Sequence, residues 1–335
     1  MVAKLPRQVR NIADRDLVKR LETGLEQVEA RLASATAVTD PLATETVNHL
    51  ILAGGKRIRP VLVLLTAGLG DATAPAVIDA AAVAELTHLA TLYHDDVMDD
   101  APTRRGVKTA HEVWGNSVAI LTGDLLFAKA SQLVSRMGEK ALALQADTFE
   151  RLCLGQLHET VGPAEGEDAV AHYIQVLADK TGSLLATSAE LGVIHSGADD
   201  ALRAPVREFG EQIGVAFQLI DDVIDLQDAA RGSGKTPGTD LRAQVATYPV
   251  LLLRELAKTD AEAADLLAAV DGDLTSDASL ADLVRRLREH PVTQATHDEA
   301  RRWAAGAIAA LAPLPNGPIK DALTKFAEAV VEREQ

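Results

Sequence analysis

Apolar residues recur at spacings of three and four along almost the whole chain, while alternating Val, Ile and Tyr runs are missing. The first pattern marks one face of a helix; alternation would mark a strand. In "DRDLVKRLETGLEQVEARL", Leu17, Leu21, Leu25, Val28 and Leu32 form one such stripe. In "TDPLATETVNHLILAGG", Asp40 is placed to cap a helix, Pro41 occupies its first turn, and Gly54 and Gly55 end it. The same periodicity predicts helices near 60–69, 74–100, 117–137, 139–161, 168–195, 200–228, 246–258, 261–270, 279–288, 294–311 and 317–333. Two stretches read as loops: "DDAPTRRGVKTAHEVWGN" and the Gly-rich "QDAARGSGKTPGTDLRAQ". The expected architecture is all-α, a single domain over residues 1–335 built as an Ala-rich helical bundle.

Composition narrows the classes. Of 335 residues 47% are hydrophobic and 24% charged, a globular balance with a large core. Lys and Arg number 33 against 49 Asp and Glu, a formal charge of −16 that argues against nucleic acid or an anionic membrane as the main partner. The lone Cys153 excludes an internal disulfide, fits a reducing, cytoplasmic setting, and is expected as a small buried hydrophobe. The N-terminus lacks the apolar core of a signal peptide, and no apolar run approaches the ~18 residues of a transmembrane segment.

The chemistry concentrates in two acidic clusters. Asp95, Asp96 and Asp99 form D-D-x-x-D at the end of an apolar helix, and Asp221, Asp222 and Asp225 repeat the motif in "VAFQLIDDVIDLQD". On a helix the first and fifth positions share a face with the second alongside, so the carboxylates repel one another unless a cation sits among them. Carboxylates without Cys or His partners favour hard cations, and Mg²⁺ completes its shell with water and phosphate oxygens. Two such clusters sharing metals would cage a diphosphate and let an acidic protein hold an anionic substrate. The EF-hand loop is excluded, since neither cluster has its central Gly and terminal Glu.

Basic residues flank both clusters. "AGGKRIRP" sets Lys56, Arg57 and Arg59 after a Gly-Gly stop, where backbone N–H groups and cations can meet an anion. His88 lies two turns before Asp95, Arg104 and Arg105 follow the first cluster, and Lys180 with Thr181 and Gly182 occupies an apparent helix break. Gln218 shares a face with Asp221, and Lys235 lies in the Gly-rich loop. No nucleophile triad, Walker loop or zinc signature is present.

In "GGKRIRP", "ELTHLATLYHDDVMDDAPTRRG", "VWGNSVAILTGDLLFA", "KTGSL", "FQLIDDVIDL", "GKTPGTDL" and "VVER", in this order, the chain resembles the trans-type isoprenyl diphosphate synthases, or polyprenyl synthetases. The resemblance implies an isoprenoid synthase fold around a central substrate tunnel, a homodimer, and about three Mg²⁺ ions per site. It implies that Asp95 and Asp99 bind two metals on the allylic diphosphate with Asp96 in support. It assigns Asp221 to the third, with Asp222 and Asp225 holding it directly or through water. It assigns Lys56, Arg59, His88 and Arg105 to isopentenyl diphosphate, and Arg104, Lys180 and Lys235 to the allylic diphosphate. Thr181 and Gln218 would face the reacting carbons. Small Ala90 and Thr91, one turn below the first metals, would leave the tunnel open for a medium- to long-chain product, with Phe127 or a neighbouring leucine, Leu125 or Leu126, at its floor. The sequence departs from the family after "GTDL", where "RAQVATYP" replaces the commoner R-E-G…T-L-P. A shorter-chain synthase making farnesyl or geranylgeranyl diphosphate and a non-catalytic prenyl-binding partner subunit are the alternatives. A terpene cyclase would carry a different second metal motif and have no use for the isopentenyl set.

Overall fold

The computed structural model describes residues 5, 10, 14–227 and 237–333. Helices dominate, as the periodicity predicts. The chain divides into two compact units: Met1–Glu150 with Leu184–Gly210 and Ala310–Phe326, and Arg151–Ser183 with Glu211–Ala309 and Ala327–Gln335.

In the first unit, helix α1 (Arg15–Ala35) buries the expected stripe of Leu17, Leu21, Leu25, Val28 and Leu32. Asp14 caps it, accepting from the Leu17 N–H at 2.8 Å. Helix α2 (Pro41–Leu52) starts at the predicted Asp40–Pro41, with Asp40 accepting from the Ala43 N–H at 2.8 Å. Helix α3 spans Ile58–Thr66, and α4 spans Pro75–Met98. Helix α4 is buried on several sides and packs against α1, α3 and α6 (Asn116–Val134). Its run of Ala80, Ala81, Ala82 and Ala84 lets neighbours approach closely. Both α4 and α6 are long and apolar enough to pass a length-and-composition test for a membrane span. Asp79 and Glu85 in α4 and Asp124 and Lys129 in α6 interrupt them, so neither holds an unbroken apolar run of ~18 residues; in α4 the apolar character serves packing, with most of that stretch buried.

The first predicted loop contains structure. Thr103–Arg104 (β1) pairs antiparallel with Val107–Lys108 (β2) around Arg105 and Gly106, whose φ values are 54° and 78°. Two left-handed residues in a two-residue loop suit the right-handed twist of a hairpin. A short helix α5 (Ala110–Trp114) follows. Helix α7 spans Glu139–Val161. Cys153 on α7 is exposed, which overturns the expectation of a buried thiol: it falls on the face of α7 that the fold leaves uncovered.

In the second unit, α8 (Ala169–Leu177) runs into a π-helical turn, Ala178–Gly182; the helix continues as α9 (Ser183–His195), which from Leu184 on belongs to the first unit. The apparent break at Lys180 is thus a widened turn, not an end. Helix α10 spans Arg203–Asp225. The short α11 (Thr239–Arg242) was not expected; the later helices α12 (Tyr248–Leu256), α13 (Ala261–Val270), α14 (Asp277–Glu289), α15 (Pro291–Ala310) and α16 (Pro318–Val331) were. Leu177, Val215, Leu219, Ile220, Tyr248 and Ala300 pack together beneath the second acidic motif. Leu253, Leu266, Leu283 and Leu287 form a further core.

Candidate functional site

Each acidic cluster sits at the C-terminal end of its helix. Asp95 and Asp96 close α4, and Asp99 follows as its cap residue, its N–H bonded to the Asp95 carbonyl at 2.8 Å. Asp221, Asp222 and Asp225 close α10. A helix C-terminus carries partial negative charge, so each carboxylate there costs about 0.3–1 kcal/mol where a cation would be favoured. Placing three at each of two such ends makes sense only if cations are to be held.

Around the first cluster, Asp95 is half-buried, Asp99 exposed, and Asp96 buried. The Arg104 Nε donates to Asp96 Oδ1 at 2.7 Å, and Asp96 Oδ2 makes no hydrogen bond. Burial pushes the Asp96 pKa up, and Arg104 opposes the shift. Arg104 therefore has a partner in the first cluster as well as the diphosphate role assigned to it.

The basic set gathers in the same unit. His88 has a pKa well below its ordinary value, first because of burial and then because Arg59, Arg105, Arg104 and Arg57 surround it. It is neutral near pH 7. Burial also takes the Arg59 pKa down to about 10, with Glu85 raising it and Arg105 lowering it. The Arg59 Nε is buried without a hydrogen bond. Arg105 is anchored by its Nη1, which donates to the Leu50 carbonyl at 3.0 Å. Its guanidinium lies across Gly55, where a Cβ would come 2.9 Å from Arg105 Cζ. Lys56 is exposed. An acidic protein that assembles arginines around a neutral histidine is prepared to receive an anion.

Within the second unit, Lys180 in the π-turn pairs with Glu159. The turn is held by Arg151: its Nε donates to Asp179 Oδ1 at 2.7 Å and its Nη1 to Glu211 Oε2 at 2.6 Å. Gln175 adds a donor to Asp179 Oδ2 at 2.8 Å. Thr181 and Gln218 are half-buried, the latter one turn before the acidic motif. Asp222 is buried and accepts from the Tyr173 hydroxyl at 2.9 Å and from the Tyr248 N–H at 3.1 Å. Burial takes its pKa up to about 8, and those two donors oppose the rise. Asp225 accepts from the N–H groups of Thr239 and Asp240, each at 3.2 Å. The Arg333 Nη2 donates to Asp221 Oδ1 at 2.9 Å, with its guanidinium 4.1 Å from the Phe217 ring centroid. Lys235 lies outside the described residues.

Of the expected chain-length residues, Ala90 has no accessible surface, whereas Thr91 is half-buried. Phe127 packs against Phe149 with tilted rings whose centroids are 4.4 Å apart, and its ring centroid lies 5.8 Å from that of His94. Sequence reasoning gave no role to Glu29, Glu85, Arg151, Tyr173, Tyr248 or Arg333. Glu85 lay within "ELTHLATLYHDD", Arg333 within "VVER" and Tyr248 within the divergent "RAQVATYP", whereas Glu29, Arg151 and Tyr173 carried no signal.

The donor set suits a hard divalent ion, since both clusters are carboxylates alone. Among the described residues no three His, Cys, Asp or Glu groups converge as a ready metal cage. Ions would therefore take further oxygens from water and from a diphosphate, as Mg²⁺ habitually does.

Helices ending in paired acid clusters, with an anion-ready cationic set beside one of them, define a class of diphosphate-handling helical enzymes. Residues 40–287 match the Polyprenyl synthetase family, and the chain belongs to it. It is 40% identical to a nonaprenyl diphosphate synthase of Mycobacterium tuberculosis, covering 96% of each chain. It is 31% identical to component 2 of the heptaprenyl diphosphate synthase of Bacillus subtilis, covering 94% of this chain and 89% of that one. Among solved structures it resembles a geranylgeranyl pyrophosphate synthase of Corynebacterium glutamicum complexed with calcium and isoprenyl diphosphate. That likeness has a TM-score of 0.83 and 39% identity, covering 95% of this chain and 98% of that chain.

Proposed function

We propose that this member of the family condenses an allylic diphosphate with isopentenyl diphosphate and builds a medium- to long-chain all-trans polyprenyl diphosphate. The observation that carries the reading is the cationic set around neutral His88, two turns from the acidic end of α4. It gives one protein both an anion-binding site and metal-binding carboxylates.

Lys56, Arg59, His88 and Arg105 hold isopentenyl diphosphate. Arg104, Lys180 and Lys235 contact the allylic diphosphate. When bound, magnesium, about three ions, would supply Lewis-acid neutralisation of the departing diphosphate. Asp95 and Asp99 would hold two of the ions, with Asp96, fixed by Arg104, in support. Asp221 would hold the third, with Asp222 and Asp225 holding it directly or through water and Tyr173 and Tyr248 orienting Asp222. The allylic C–O bond breaks with its electron pair leaving on the diphosphate, and the π bond of isopentenyl diphosphate attacks the allylic cation. The departing diphosphate takes the proton that restores a double bond. The oriented dipoles of Thr181 and Gln218 support the cation, and the apolar flanks of both acid clusters exclude water.

Ala90, which has no accessible surface, and the half-buried Thr91 set the chain length, with Phe127 near the floor. Similarity to a nonaprenyl diphosphate synthase supports a long product; similarity to a geranylgeranyl pyrophosphate synthase keeps a shorter product as the second reading. The name of the heptaprenyl relative, component 2, raises a partner-subunit reading. Against a silent partner, both acid clusters and the cationic set are present. We place the enzyme in the cytoplasm as a homodimer. Leu142, Ala146, Phe149, Cys153 and Leu157 are exposed on α7 at spacings of three and four, an apolar stripe that a second copy would cover. The test supplies the purified chain with farnesyl and isopentenyl diphosphates, with Mg²⁺ or with EDTA, and identifies products by mass spectrometry. Pyrophosphate release and a prenyl product only with Mg²⁺ support the reading; no product from the chain alone rejects it.

A further inference from the structure

We propose that Glu85 and Glu29, acting through Arg57, are positioning residues that set the cations for isopentenyl diphosphate. This rests on the assignment of Lys56, Arg59, His88 and Arg105 to that substrate. Arg57 sits inside the basic motif yet is not available to an anion. Its side chain is 2% exposed, and its donors are engaged with protein acceptors. The Nε reaches Glu29 Oε1 at 2.6 Å, Nη1 reaches Glu85 Oε1 at 2.6 Å, and Nη2 reaches Glu29 Oε2 at 3.3 Å and the Ile51 carbonyl at 3.2 Å. Burial alone would lower its pKa, but the two carboxylates outweigh burial and raise it. It stays charged.

The backbone supplies a second observation. Arg57 is left-handed, with φ 49° and ψ 36°, immediately before α3. A non-glycine residue holds that conformation only where its surroundings impose it. The forked grip on Arg57 imposes it here, between Lys56 and Arg59. Glu85 is also shared. The same Oε1 that accepts from Arg57 lies 3.8 Å from Arg105 Nη2, and the Glu85 charge acts on Arg59 as well. Glu85 is 1% exposed and lies one turn before His88 on α4, so it acts on substrate only through the guanidinium groups it holds. One buried carboxylate thus faces three arginines that otherwise repel one another. Without its charge, Arg105 and Arg59 drift apart and the anion site loses its shape.

Steady-state kinetics with each substrate varied in turn test this. Glu85→Gln should raise the KM for isopentenyl diphosphate about tenfold, with the allylic KM within twofold of wild type. Arg57→Lys, which keeps charge but cannot grip both carboxylates and a carbonyl, should do the same. Glu29 is partly exposed, so Glu29→Gln is the milder change; it should give a severalfold rise and decides the matter if the other variants do not fold. An unchanged KM with only a lower melting temperature overturns the proposal. So does tighter isopentenyl diphosphate binding, which would mean that Glu85 merely dilutes positive charge. Arg59→Ala serves as the control on the assignment. If it leaves the isopentenyl KM unchanged, the assignment fails; if it raises that KM while the carboxylate variants do not, the positioning proposal alone fails.

Discussion

His88 shows how one residue's surroundings set its chemistry. Its pKa is held well below the ordinary value by burial and then by four arginines. The unfolded chain, with an ordinary histidine, takes up a proton near pH 6.5 that the folded chain refuses. Stability from this group is thus present above about pH 6.5 and is lost as pH falls below it. Glutamine in place of His88 should flatten that loss, read as a smaller drop in melting temperature between pH 7 and pH 5.5 than wild type shows. Asp222 has a pKa raised to about 8, so its contribution falls as pH rises toward 8; it is common to both proteins and cancels in the comparison. Tyr173 donates to Asp222 at 2.9 Å, the kind of outer contact whose loss costs roughly ten- to a hundredfold in metal affinity. Tyr173→Phe should raise the Mg²⁺ concentration needed for half-maximal activity by that order. The acid clusters were legible because their spacing is itself the signal. Tyr173, Glu85 and Arg151 were not, because each is a single polar residue whose partner lies far along the chain: Tyr173 and Asp222 are 49 positions apart.

At the scale of elements, periodicity predicts the long helices because an apolar stripe must face a core. It does not predict the hairpin at Thr103–Lys108, since strands of two residues leave no alternation to read. The π-turn at Ala178–Gly182 is equally silent, because a widened turn keeps the helical rhythm around it. Glycine marks what that turn needs. A Cβ on Gly214 of α10 would lie 2.5 Å from the Gly182 Cα, so the backbones of helix and turn are in near contact. Gly214→Ala must therefore move the turn that carries Lys180 and Thr181, and overpacking of this kind costs about 1–3 kcal/mol. A fall in kcat of about tenfold, with secondary structure by circular dichroism intact, is expected. On α4, Thr91→Phe should shorten the product by one or more isoprene units; mass spectrometry reads it directly, and unchanged length would remove Thr91 from chain-length control.

For the whole molecule, the account requires both acid clusters to serve one reaction. The clusters belong to different compact units and come from distant parts of the sequence. The family match over residues 40–287 includes both. The exposed apolar stripe on α7 predicts a dimer, which sedimentation of the purified chain would show; replacing Phe149 by Asp should yield monomer. The most direct measurement is pyrophosphate release from farnesyl and isopentenyl diphosphates at saturating Mg²⁺ by wild type, Asp95→Ala and Asp221→Ala. Each single variant should lose at least about a thousandfold in kcat, as wild type does in EDTA, because either loss strands the diphosphate charge. Near-wild-type release by either variant would contradict the account.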